Sequence, residues 1–148
     1  MLSKSLVIFT AVGLVSALAL GIYLIDVKST SQLIFVEGNS VSIVTEKFDF
    51  KQGEEITLRV VNSGTVPLVF SDASYGLKIT GLSGTLMYSP ISAQVISELA
   101  PGDEIIFSWD QIKNDGNPVL EGLYKISVNG ADKEGNAVER STTVTIWK

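Results

Sequence analysis

Two patterns of hydrophobic and polar positions divide this chain. Residues 5–25 read SLVIFTAVGLVSALALGIYLI and contain no charge. About twenty residues at a rise of ~1.5 Å each reach across a hydrocarbon core of ~30 Å, so this run predicts a transmembrane helix. From residue 33 onward the pattern changes to short runs in which apolar and polar side chains alternate. Such runs occur at 41–45, 56–61, 68–70, 77–80, 85–88, 94–96, 104–109, 124–128 and 138–147. Ile56, Leu58 and Val60 share one face, as do Tyr124, Ile126 and Val128, and later Val144 and Ile146. A period of two with one polar face is the mark of half-buried antiparallel strands. Turn signals separate them: Asn62-Ser63-Gly64, Ser83-Gly84, Pro101-Gly102, Asp115-Gly116, Asn129-Gly130 and Glu134-Gly135-Asn136. About eight short strands at this spacing predict an all-β fold, an Ig-like antiparallel β-sandwich preceded by one N-terminal transmembrane α-helix. A small barrel is the alternative.

The pattern places a membrane anchor, or a signal segment, at 1–28, a short polar stalk at 29–32 and an extracytoplasmic β-sandwich at 33–148. Ala17-Leu18-Ala19 would suit signal cleavage, but the apolar run continues through Ile25, longer than a usual signal core of about 7–15 residues. Retention gives a single-pass membrane protein; cleavage gives a secreted one. Lys4 precedes the helix, whereas Asp26 and Lys28 after it nearly cancel, so the C-terminal domain is expected outside. Gly13, Ala17 and Gly21 recur every fourth residue and form a small-residue face on which a partner helix could pack.

Charge and composition narrow the chemistry. The chain of 148 residues has 11 basic and 16 acidic side chains. Without Lys4, Lys28 and Asp26, the part after residue 28 holds 9 basic and 15 acidic residues, a net of -6. An acidic domain speaks against nucleic acid and against anionic lipid head groups. Cys and His are both absent, which removes disulfides, thiol catalysis, the usual zinc and haem ligands and Ser-His-Asp triads. The carboxylate pairs Glu54-Glu55 and Asp103-Glu104 are neighbours on strands. They point to opposite faces and form no acid/base dyad. Ser71 and Ser89 lack a base and a nucleophile elbow. No enzymatic activity, no cofactor and no small-molecule substrate are expected.

The densest motif runs from Leu99 to Val128. Pro101-Gly102 suits a type II turn, and a strand then ends in Trp109-Asp110. Asp115-Gly116 makes a tight turn, and Gly122-x-Tyr124 re-enters the sheet. This layout resembles the BsuPI-type intracellular proteinase inhibitor family, and it is similar to the Ig-like module of flagellar hook-capping proteins. Asn62-Ser63, Leu68-Val69-Phe70-Ser71, Tyr75, Leu77-Lys78-Ile79 and Tyr88-Ser89 extend the likeness upstream to about Glu54. The sequence departs from the inhibitor pattern at Ala73-Ser74-Tyr75-Gly76, where Gln and Asp are missing, and at Met87 or Tyr88, where the family has tryptophan. The resemblance implies a sandwich and, through the first family, protease inhibition by an exposed loop at 75–76 or 85–90.

Trp109, Asp110, Asp115, Gly116, Gly122 and Tyr124 are thus expected to build a structural hairpin. Tyr75, Gly76, Met87 and Tyr88, beside Gly- and Ser-rich stretches, are the candidate partner contacts. Asp110, Asn114, Asp115 and Glu121 offer oxygen ligands of the kind Ca²⁺ takes, but without EF-hand spacing. Turn formation by the same side chains is the competing reading, and no metal is expected. Three functions follow: a membrane-anchored module contacting another envelope or surface protein, a protease inhibitor, or a small accessory subunit of a membrane complex.

Overall fold

A computed structural model of the chain describes residues 32–148. The expected transmembrane helix, with Gly13, Ala17 and Gly21, lies outside the described residues. Among the described residues no helix is long and apolar enough to cross a membrane.

The described part is all-β. Ten strands form in chain order: β1 (Val41–Thr45), β2 (Asp49–Lys51), β3 (Ile56–Asn62), β4 (Leu68–Phe70), β5 (Lys78–Gly81), β6 (Leu86–Tyr88), β7 (Ser97–Leu99), β8 (Glu104–Trp109), β9 (Gly122–Asp132) and β10 (Ala137–Trp147). One sheet has the antiparallel order β1-β3-β8. The other has the order β2-β10-β9-β4-β7, with β5 and β6 attached beside β9. β9 is the spine of this sheet: it pairs with β10 from Gly122 to Ala131, and on its other side with β5 and then β4. β2 joins β10 in parallel; every other pairing is antiparallel.

The alternation read from the sequence explains which faces meet. Ile56, Leu58 and Val60 of β3 are fully buried, as are Ile126 and Val128 of β9 and Val144 of β10. They join Phe50, Leu68, Phe70, Ile79 and Trp109 in a single core between the two sheets. Burial of each such side chain contributes about 1.5–3 kcal/mol, and one continuous core holds both sheets together.

Some expectations need correction. β2 was not anticipated, because three residues with one buried member, Phe50, show no readable alternation. The run at 94–96 is not a strand: Val95 and Ile96 are exposed, and pairing begins only at Ser97. Asn129-Gly130 is not a turn. It lies within β9, where Gly130 backs onto the Phe70 ring so closely that a Cβ would meet the ring at 2.6 Å. The hairpin turn comes later, where Gly135 takes φ +90 and Asp132 accepts the N–H of Asn136 and of Glu134.

Candidate functional site

The strands deliver the predicted hairpin to one end of the sandwich. Trp109 closes β8 and is 1% exposed. Its ring stacks on Tyr88 with centroids 6.1 Å apart and meets Tyr124 edge-on at 6.1 Å. Its indole N–H donates to the Ile112 carbonyl at 3.0 Å, so the polar end of the ring is satisfied within the loop it anchors. Tyr124, at the start of β9, donates its hydroxyl proton to the Leu120 carbonyl four residues upstream. That is the tyrosine corner of Ig-like sandwiches. Burial raises the phenol pKa above its ordinary value of 10.0.

Asp110 accepts the Ile112 N–H at 3.0 Å and Asp115 accepts the Asn117 N–H at 2.9 Å. The latter bond holds the Asp115 carboxyl below its ordinary value. Gly116 takes φ +87, a conformation a Cβ disfavours. Asn114 directs its side-chain oxygen to the Ser89 N–H at 3.2 Å. Asp110 and Asp115 therefore serve as turn acceptors and Asn114 as an acceptor for another loop, and with Glu121 they are spread along an exposed loop. Among the described residues no group of three or more acidic side chains is gathered closely enough to hold a metal ion.

The four candidate contacts separate into two places. Met87 and Tyr88 lie against the hairpin, where the Asn114 N–H donates to the Met87 carbonyl at 2.9 Å. Both are half-buried against the core. Tyr75 packs elsewhere, 4.8 Å from the Phe70 ring and 6.2 Å from Phe107. Tyr75 itself has φ +55 and Gly76 φ +65. A Cβ on Gly76 would come within 2.5 Å of the Asn129 carbonyl oxygen, so close approach to β9 explains this glycine. Asp72 shapes the same bend by accepting the hydroxyl and N–H of Ser74, which lower its carboxyl pKa.

Two grooves adjoin the segment 89–92. One, of about 530 Å³, is lined by Glu55, Tyr88, Asp110 and Ile112 among others. The other, of about 470 Å³, is lined by Asp72, Gly76, Lys78 and Gln94 among others. Ser89, Ile91 and Asn114 border both. Ile91 stands between them with its side chain fully exposed, at 103%.

Sequence reasoning passed over two buried polar residues, Gln111 at this end and Asn62 at the opposite end of β3. Gln111, 1% exposed and at φ +62, accepts the Gly53 N–H and donates to the carbonyls of Lys51 and Glu54. Asn62 donates to the carbonyls of Val66 and Leu99 and accepts the Gly64 N–H. Asn62 stood out only as a turn residue, and Gln111 carried no local signal, because its partners are about sixty residues away in the chain.

Two antiparallel-rich sheets around one core, a tyrosine corner, and loops that form grooves at one end define the class: a small β-sandwich module of Ig-like type. No family model matches the chain, and no curated protein matches it. Among solved structures, dimeric latent PorU from Porphyromonas gingivalis is similar at 14% identity and a TM-score of 0.50, over 75% of this chain. The chain spans only 10% of that protein's length, so the likeness is to one part of it and concerns the fold alone. FlgD of Xanthomonas campestris, a hook-capping protein, is similar at 17% identity and a TM-score of 0.39, over 80% of this chain and 75% of FlgD. SoxY from Chlorobium limicola, a sulfur carrier protein, is similar at 13% identity and a TM-score of 0.46, over 84% of this chain and 96% of SoxY.

Proposed function

We propose that the chain is a membrane-anchored, extracytoplasmic binding module that contacts another envelope or surface protein through its loop end. The uncharged run at 5–25 supports the anchor, and Lys4 before it supports an outside domain. The observation that carries the contact is Ile91, a branched apolar side chain at 103% exposure on the rim shared by two grooves. Covered by a partner, that side chain would contribute about 1.5–3 kcal/mol to the contact. The test is photocrosslinking of the full chain in its native membrane from position 91, with position 46 as comparison. A protein adduct from 91 and none from 46 is expected; no adduct from either, or equal adducts from both, overturns the reading.

A second reading, protease inhibition, draws on the same residue. An exposed apolar side chain on a short segment tethered on both sides suits insertion into a protease specificity pocket. The Ala73 N–H donates to the Ala93 carbonyl at 3.2 Å, and the Ser89 N–H to Asn114 at 3.2 Å. A panel of proteases preferring apolar residues tests it: inhibition by the full chain that is lost in Ile91→Asp is the expected result, and no inhibition across the panel removes it.

A further inference from the structure

Three consecutive apolar side chains, Ile34, Phe35 and Val36, stand exposed at 58%, 62% and 44%. Leu33 before them is half-buried and makes the apolar run four residues long. An exposed run of this kind is out of place on a water-facing surface unless something covers it. The run is fastened at both ends. The Gln32 side chain, itself buried, donates to Thr45 Oγ1 and accepts the Thr45 N–H, both at 3.0 Å. The Val36 N–H donates to the Ser63 carbonyl at 2.9 Å, and Gly38 and Thr65 exchange two bonds just beyond. Thr45 and Ser63 mark the two ends of β1, because Val41 pairs with Asn62. Residues 33–36 therefore bridge the length of β1 as a built part of the fold, with three of their side chains left outside it.

The place of the run in the chain says what covers it. The uncharged stretch ends at Ile25, seven residues before Gln32. Seven residue steps reach at most about 25 Å in any conformation. The polar layer outside the hydrocarbon of a bilayer is itself roughly 5–8 Å deep on each side. A chain anchored through 5–25 thus keeps residues 33–36 within reach of the membrane surface. We infer that these residues insert into the head-group boundary of the membrane that holds the chain, their apolar side chains entering about 5–10 Å as in other interfacial segments. This rests on the anchor proposed above. Glu37 and Glu46, both exposed, flank the run and its Thr45 attachment, and the domain after residue 28 has a net of -6. The contact is therefore apolar and suits zwitterionic lipid, with no electrostatic draw toward anionic head groups. It also leaves the proposed partner contact free. β1 and β8 are opposite edges of their sheet, and the groove rimmed by Ile91 includes Ser108 of β8.

The chain has no cysteine, so one introduced cysteine carries an environment-sensitive fluorophore to a chosen site. The full chain is labelled at Phe35→Cys or, for comparison, at Leu82→Cys, an apolar residue 68% exposed on the β5–β6 turn. Each is reconstituted in phosphatidylcholine vesicles and floated with them. The label at 35 should be blue-shifted, and a lipid carrying a nitroxide near its head group should quench it several-fold more than the label at 82. Adding Ile34→Asp and Val36→Asp should bring the quenching at 35 down to that at 82 while the chain still floats. A floating chain whose two labels are quenched alike overturns the inference and leaves the anchor standing. A blue shift at 35 without lipid quenching means that protein covers the run, a second copy or another chain, and overturns it as well. A chain that does not float removes the anchor itself, and this inference with it.

Discussion

The connection from β8 to β9 and the connection from β6 to β7 border the same groove, yet they are built in opposite ways. The first, at 110–121, is polar in sequence and tightly held. It carries the indole bond of Trp109, the Asp110 and Asp115 turns, an isolated bridge between Ile112 and Pro118, and a fully buried Gln111. The second, at 89–96, is more apolar, and it exposes Ile91, Val95 and Ile96. Hydropathy alone would reverse the two. Gln111 is inside because its amide pairs with three backbone groups of the β2–β3 turn. Ile91 is outside because its segment crosses between two grooves with no sheet surface above it. One connection is scaffold; the other is presented.

Four substitutions break or sharpen that contrast, from largest effect to smallest. Trp109→Ala removes the ring that joins Tyr88, Tyr124 and the loop, and should destabilise the protein by about 3–5 kcal/mol in chemical denaturation. That is a large share of the ~5–15 kcal/mol total expected of a domain. A loss below about 1 kcal/mol would mean that the hairpin stands without it. Gln111→Leu keeps roughly the volume but removes the partner of the Gly53 N–H and of the Glu54 carbonyl, and leaves the Lys51 carbonyl with the Glu54 N–H alone. It should cost about 1–3 kcal/mol or more, and a neutral result would show that water takes its place. Asp132→Asn probes the β9–β10 turn through pH. Hydrogen bonds from Asn136, with those from Glu134 and Gly135, hold the Asp132 carboxyl below its ordinary value of 3.8. A depressed folded pKa adds stability above the unfolded value and loses it as pH falls through the folded one. The wild-type advantage over Asp132→Asn should therefore be present at neutral pH and vanish on acidification below pH 3.8; an advantage independent of pH would refute it. Ile91→Ser should change stability by less than ~0.5 kcal/mol in the same assay, the mark of a presented side chain. A larger loss would make 89–96 part of the scaffold.

Local pattern sufficed for everything whose cause is local. The alternation of Ile56, Leu58 and Val60, and of Tyr124, Ile126 and Val128, dictates strands with one buried face. Pro101-Gly102 and Asp115-Gly116 dictate turns, because Gly102 and Gly116 can hold φ +81 and +87. The all-β sandwich and the hairpin with Trp109 at its base were legible on those grounds. What depends on residues far apart in the chain was not. Asn129-Gly130 has the composition of a turn, but pairing with β10 on one side and the approach of Phe70 keep it in a strand. Gln111 is buried only because the β2–β3 turn comes to it, and Met87 and Tyr88 meet the hairpin only because β6 folds back beside β5. Strand and turn propensities are written in neighbouring residues, whereas the pairing partner of each strand, and so which polar groups are left over, is decided by the packing of the whole sandwich.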